Sequence, residues 1–183
     1  SNNPRWSLFP SLAKTVPGAW FLNRGVFAPE ELEGLMGKNL ANKFLKDFTP
    51  EAMILKMSGK LPKDPRLALS QIYSTCYMRN QLLRDSDWAS MSHGIELRTP
   101  LVDLKLLTSL KSFIPSFYLY KNKALLSNAP NIPLDELITK RKKTGFSIPI
   151  NAWIKEINPK LGESGISKGW AREVANKIYQ DII

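Results

Sequence analysis

The stretch NQLLRDSDWASMSHGIELRTPLVD, from Asn80 to Asp103, decides how the rest of the chain is read. It packs two acids (Asp85, Asp87), a Ser-Met pair (Ser90, Met91) and a Glu-x-Arg-x-Pro run (Glu96, Arg98, Pro100) into a short span that ends at Asp103. A surface made only for water scatters Lys, Glu and Gln. Here acids, an amide, hydroxyls and an arginine alternate with apolar residues that read as buried. Charged groups beside core residues cost free energy unless they pair or take part in chemistry.

Upstream, Asp64-Pro65 opens the longest helix of the chain, with Leu67, Leu69, Ile72, Tyr73, Cys76 and Leu83 recurring at near-helical spacing. The spacing of Cys76, Asn80, Leu83 and Asp87 puts two polar groups on the apolar face. Asn80 and Asp87 are therefore candidates for a buried or cleft-facing position, or for capping and bridging neighbouring helices. The helix continues or restarts from Asp85 to His93, and Gly94 closes it in the left-handed conformation. Ile95 to Leu101 reads as extended, because Pro100 keeps Thr99 out of the helical region. Asp103 caps an apolar helix carrying Leu104, Leu106, Leu107, Leu110 and Phe113, with Pro115 as its stop.

The flanks repeat these signals. Prolines, glycines and aromatics in residues 1–27 predict short helical turns laid over a core. Pro29 starts a short helix that Gly37 ends, 42–48 reads as another turn or short helix, and Thr49 and Gly59 bracket a further helix. Past a linker bracketed by Pro130 and Pro133, a helix over 133–142 is predicted from its acids early and its cations late. Lys143-Thr144-Gly145-Phe146 reads as a loop, Pro149 starts a helix with Trp153 and Ile154, and the tail from Trp170 is amphipathic through Val174, Ile178 and Ile182. No strand alternation is evident, so the class is mainly α, with residues 1–183 as a single helical domain.

Composition narrows the chemistry. With 183 residues, 43% apolar and 10% aromatic, the chain is long enough for a real core. Its formal charge of +10 suits an anionic partner, or a solvated basic surface. One cysteine (Cys76) excludes an internal disulfide, and one histidine (His93) excludes a His/Cys zinc cluster. His93 has no G-x-S-x-G elbow to serve and reads as a helix-end residue. No apolar run approaches the ~20 residues that span a bilayer and no signal peptide opens the chain, so a cytoplasmic location is expected. The start at Ser1-Asn2 without an initiator Met reads as a piece of a longer protein.

Lys140, Arg141, Lys142 and Lys143 form the densest charge run. Such a run is either a solvated helix end or an anion site. The sequel Gly145-Phe146 holds Lys143 on a short shaped loop, where a fixed ammonium facing developing phosphate charge is worth on the order of 3 kcal/mol of barrier. Neither G-x-x-x-x-G-K-[ST] nor G-x-G-x-x-G occurs, so the chain has no nucleotide cradle of its own.

Taken together, Leu82-Leu83, Asp87, Ser90-Met91, Gly94-Ile95-Glu96, Arg98, Pro100 and Asp103, followed by Lys143, Gly145, Phe146, Pro149 and Trp153, resemble the C-terminal synthetase region of the glutamine-dependent asparagine synthetase family. Trp20 to Phe27 resembles relatives encoded with polysaccharide-biosynthesis enzymes, and the resemblance covers most of the chain. It implies the helical C-terminal part of an adenine-nucleotide α-hydrolase-like (ATP pyrophosphatase) synthetase domain. It also implies that ATP and Mg2+ activate the side-chain carboxylate of aspartate as an acyl-adenylate, which ammonia released from glutamine in another domain converts to asparagine. Lys143 matches the family's catalytic lysine. Asn80, Asp87, Glu96, Arg98, Asp103, Gly145 and Phe146 are expected to frame the substrate and ATP cleft, with no metal ligand among them.

The sequence also departs from the family. Trp88 stands where the family has Arg, Leu101-Val102 replaces Phe-Leu, and Arg79 to Leu82 holds no acid where several relatives carry one that helps amination. The Ser-Gly-Gly-x-Asp-Ser pyrophosphate loop, the magnesium-ligand segment and a nucleophilic N-terminal cysteine do not occur. The implied partners are thus an N-terminal half-domain that binds most of the ATP and Mg2+, and a glutaminase domain; the chain alone is expected to be inactive. Two other readings stand beside this one: a basic nucleic-acid-binding module, against which the apolar placement of the aromatics counts, and a helical interaction module that has lost catalysis.

Overall fold

In the computed structural model, residues 5–47, 49–117, 119, 123–142, 149, 152–153, 156 and 166–180 are described. All regular structure among them is helical. The chain divides into two compact units, Ser1–Leu61 with Ser147–Ile183, and Pro62–Phe146.

The first unit begins with α1 (Arg5–Leu12) and α2 (Val16–Arg24), which pack on each other. Thr15 makes the corner: its hydroxyl accepts from Gly18 N–H at 3.1 Å and donates to the Glu51 carboxylate. Gly18 is required at this corner because an added Cβ would sit 2.0 Å from the Leu12 carbonyl oxygen, backbone that has no rotamer to swing away. Gly18→Ala is expected to destabilise this unit by about 2 kcal/mol through overpacking, measured as a lowered urea midpoint at unchanged slope.

A 3-10 turn (Pro29–Glu31) and α3 (Glu33–Met36) follow, then α4 (Lys38–Asp47) and α5 (Pro50–Ser58). Thr49 caps α5 by accepting from Ala52 N–H at 3.2 Å, and Gly59 closes it, as the sequence predicts. The region read as one helix from Pro29 is two pieces, because the turn tightens before α3. Glu31 holds it: one carboxylate oxygen accepts from Ala28 N–H at 2.8 Å and the other pairs with Lys168. Helix α5 packs on α2, and the C-terminal helix, spanning Ile166–Gln180, packs on α3. Among the described residues of this unit Ala28, Ala41 and Ile54 are buried, as is Pro17 in α2.

The second unit is built on one long helical run. α6 (Pro65–Ile72) passes into a π-helical segment (Tyr73–Leu83) and then α7 (Arg84–Met91). Asp64 caps the run by accepting from Arg66 N–H at 2.8 Å. Hydrogen bonds from the Arg66 side chain and then its backbone hold the Asp64 carboxyl down at about 2. The ionised cap is therefore complete above pH ~4 and is lost only as pH falls towards that depressed value. Within the π segment the Thr75 hydroxyl donates back to the Gln71 carbonyl (2.7 Å) and the Ile72 carbonyl (3.3 Å), in competition with the backbone ladder. No sequence signal had singled this segment out.

Gly94 (φ 67°) ends the run as predicted, and residues 95–99 carry no regular secondary structure. Asp103 caps α8 (Leu104–Leu110), accepting from Leu106 N–H at 2.8 Å. The predicted continuation to Phe113 does not occur. α8 ends five residues before Pro115, which lies instead in α9 (Ile114–Phe117), where proline is tolerated in the first turn. α10 (Ala124–Asn128) and α11 (Glu136–Thr139) complete the unit. The helix predicted over 133–142 is thus one turn long, started by Asp135, which accepts from Leu137 N–H. With the C-terminal helix counted as α12, no helix among the described residues is long and apolar enough to cross a membrane.

Candidate functional site

The signature residues from Asn80 to Asp103 belong to the second unit, and they do not converge on one site. Asp87 lies on α7 and lines an open cavity of about 360 Å³ with Leu83, Arg84, Ser86, Leu97 and Thr99. Leu97 and Thr99 belong to its lining, whereas Glu96 and Arg98 do not. Glu96 and Arg98 pair with each other instead, Nε to Oε1 at 3.1 Å and Nη2 to Oε2 at 3.4 Å.

That pair is highly exposed, with side chains 83% and 70% accessible for Arg98 and Glu96. An exposed pair of this kind contributes ~0–1 kcal/mol, so it does not hold the fold and is available to meet another charged group. Asp103 is committed to capping α8. Asn80 sits half-buried in the π segment, where its Oδ1 accepts from Arg79 Nε at 3.1 Å. Lys143, Gly145 and Phe146 lie outside the described residues, as does Ile154. Beyond them, Ala152 and Trp153 donate their N–H groups to the Pro149 carbonyl, the start of a helical turn at the predicted proline.

Of the alternatives open for Asp87, the structure shows an exposed residue that faces the cavity. One reading of this stretch needs correction: the apolar neighbours read as buried are exposed, with Trp88 65% accessible, Ile95 60%, and Met91, Leu97 and Leu101 all above half. The reason is that the described elements of this unit lay no second layer over α7 and the 95–103 segment. Helical spacing and hydrophobicity identify a face that wants cover; they do not supply the cover.

Sequence reasoning missed Arg84 and Thr99. Arg84 lies over the Trp88 ring, 5.0 Å from its centroid, and 3.6 Å from the Asp85 carboxylate. Trp88 thus provides a platform that fixes a guanidinium at the cavity wall, and the i, i+4 spacing of Arg84 and Trp88 was the available signal. The wall carries one cation and one anion among hydroxyls, an arrangement that can hold a small polar molecule by both signs of charge. Among the described residues, no three His, Cys, Asp or Glu side chains converge as metal ligands. In the basic run, Lys140 is tied to Glu136 at 2.7 Å.

Comparison with known proteins gives two matches. The model of a protein family described as asparagine synthase matches residues 17–178. Asparagine synthetase (glutamine-hydrolyzing) 1 of Bacillus subtilis (strain 168) is 37% identical over 109 residues, which make up 57% of this chain and 16% of that protein. The chain therefore spans about a sixth of that relative's length. No solved structure matches.

Proposed function

The chain belongs to the asparagine synthase family, and from that premise we propose that it is the helical C-terminal part of an ATP-dependent, amide-forming synthetase domain of the adenine-nucleotide α-hydrolase-like type. The observation that carries this reading is the extent of the family match: residues 17–178 include both the Asn80–Asp103 signature and the Lys143–Phe146 loop. In the proposed reaction a side-chain carboxylate oxygen of aspartate attacks the α-phosphorus of ATP, and the bond to pyrophosphate breaks. Ammonia from glutamine then attacks the acyl carbon, and AMP leaves with the former carboxylate oxygen.

Within this scheme Lys143 places its ammonium against the phosphates as negative charge builds on the departing pyrophosphate. The Glu96–Arg98 pair is not part of the lining of the Asp87 cavity, so the pair and the Asp87 wall are proposed to frame separate parts of the cleft. Asp103 holds α8, and Asn80 stiffens the π segment through Arg79. Gly145 and Phe146 shape the lysine loop. The described residues do not fit a magnesium ion, lacking three convergent ligands. The ATP-gripping half-domain and the glutaminase domain are proposed partners in the whole protein, and its location is proposed to be cytoplasmic.

The test is ATP–pyrophosphate exchange. The whole enzyme is expected to exchange label only when aspartate is present, and residues 1–183 alone to exchange none. Aspartate-independent exchange, or exchange by the isolated chain, would overturn the reading. Exchange with a different carboxylic acid would keep the adenylation and change the acceptor.

A further inference from the structure

The cavity beside Asp87 holds two opposite charges that do not pair. Arg84 and Asp87 are the charged side chains of its lining, and they stand three residues apart on α7, where side chains are neighbours on one face. Arg84 lies over the Trp88 ring instead, and its Nε is 3.6 Å from the Asp85 carboxylate, which is not part of the lining. Both side chains of that contact are more than half accessible, so it is weak and screened by solvent. It engages Nε, and a guanidinium carries five N–H donors. Among the described residues, the Asp87 carboxylate makes no ion pair. The other charged pair of the stretch, Glu96 with Arg98, is closed on itself and stands outside the lining.

The rest of the cavity is mixed. Leu83 and Leu97 give it apolar walls, and Ser86 and Thr99 bring hydroxyls that serve either sign of charge. Its volume of about 360 Å³ falls in the range of small-molecule sites. An α-amino acid carries its carboxylate and its ammonium on one carbon, so it always presents two adjacent, opposite charges. A wall with one cation beside one anion meets both. A phosphate or a dicarboxylate would be repelled by Asp87, and a diamine by Arg84. Trp88 adds preorganisation, because its ring holds the guanidinium at the wall before a ligand arrives.

We propose that this cavity binds the head of the acceptor amino acid, Arg84 taking its α-carboxylate and Asp87 its α-ammonium, so that these two residues select a zwitterion while the side-chain carboxylate is left to react. The choice of aspartate as the acid rests on the adenylation reading above; the recognition of an amino-acid head rests on the cavity. Leu83 and Leu97 then flank the methylene carbon.

Two analogues separate the two contacts. Succinate is aspartate without its ammonium, and β-alanine is aspartate without its α-carboxylate. The first readout needs no catalysis. In the 183-residue chain with 15N-labelled tryptophan, aspartate is expected to shift the Trp88 indole resonance, assigned through Trp88→Phe, at about tenfold lower concentration than either analogue. Arg84→Gln, at an exposed position, is expected to erase the advantage over β-alanine and keep that over succinate; Asp87→Asn, also exposed, is expected to do the reverse. An unchanged circular-dichroism melt shows that each variant keeps its fold. The second readout is ATP–pyrophosphate exchange by the whole enzyme, in which each variant is expected to raise KM for aspartate about tenfold with a much smaller change in kcat. No Trp88 shift with aspartate, equal shifts with all three ligands, or unaltered discrimination in both variants would overturn the proposal. The expected Trp88 pattern without aspartate-dependent exchange keeps the amino-acid site and removes the adenylation reading. Exchange with KM unmoved in both variants removes the site and keeps that reading.

Discussion

Lys143→Ala is expected to lower aspartate-dependent ATP–pyrophosphate exchange in the whole enzyme by roughly two orders of magnitude. The size follows from the chemistry. A preorganised cation facing charge that develops in the transition state is worth on the order of 3 kcal/mol, and about 1.4 kcal/mol corresponds to a factor of ten in rate. The loss should fall on the rate of exchange more than on the concentration of ATP needed to support it, because the interaction strengthens as pyrophosphate departs. Lys140 provides the control. It stands three residues away in the same basic run, but it is tied to Glu136 across one turn and is 71% accessible. Its removal loses a surface pair worth under about 1 kcal/mol, so Lys140→Ala should leave exchange within a few-fold of normal. If both substitutions act alike, the basic run works by bulk charge and Lys143 has no special place in the mechanism.

That contrast between neighbouring lysines also marks how far the sequence could be read. Local devices were legible because their causes are local. Thr49, Asp64 and Asp103 each accept the hydrogen bond expected of a cap, and Gly94 takes the left-handed conformation where its helix ends. The signature stretch was legible as a unit, and the match over residues 17–178 supports the family it pointed to. Three features were not legible. The π segment has no signature in the residues: Thr75 bonds back to the Gln71 carbonyl, but Thr108 bonds back to the Leu104 carbonyl in the same way and α8 keeps its ordinary turn. Pro115 marked a boundary correctly but as the beginning of α9, since proline suits a first turn as well as it ends a preceding one. The separation of Asp87 from Glu96 and Arg98 was not legible either, because spacing along a segment without regular structure does not fix which side chains reach α7.

Burial is the feature that hydrophobicity alone predicted worst, and it sets the second large effect. Ile72→Ala is expected to destabilise the second unit by about 3 kcal/mol, within the 2–5 kcal/mol found when a fully buried aliphatic side chain is cut back to Ala. Ile72 is 0% accessible and stands where α6 passes into the π segment, with α9 packed on α6. Removing its side chain leaves a void beneath the junction that orients the whole run to Met91. Leu104→Ala is the informative partner. Leu104 is as hydrophobic as Ile72 and lies in an equally apolar helix, yet it is 77% accessible, so its loss should stay within ~0.5 kcal/mol. Urea unfolding of the 183-residue chain, followed by a probe confined to the second unit such as Trp88 fluorescence with the other tryptophans replaced by Phe, measures both. A large cost at Leu104 would mean that the α8 face is covered in solution, by self-association that diluting the protein would reverse. A small cost at Ile72 would mean that the α6 junction is not the packed centre of its unit. The expected pattern, large at Ile72 and small at Leu104, would locate the apolar surface that is free to receive a partner, because an exposed leucine that contributes little to this chain's own stability can still contribute fully to a docked interface.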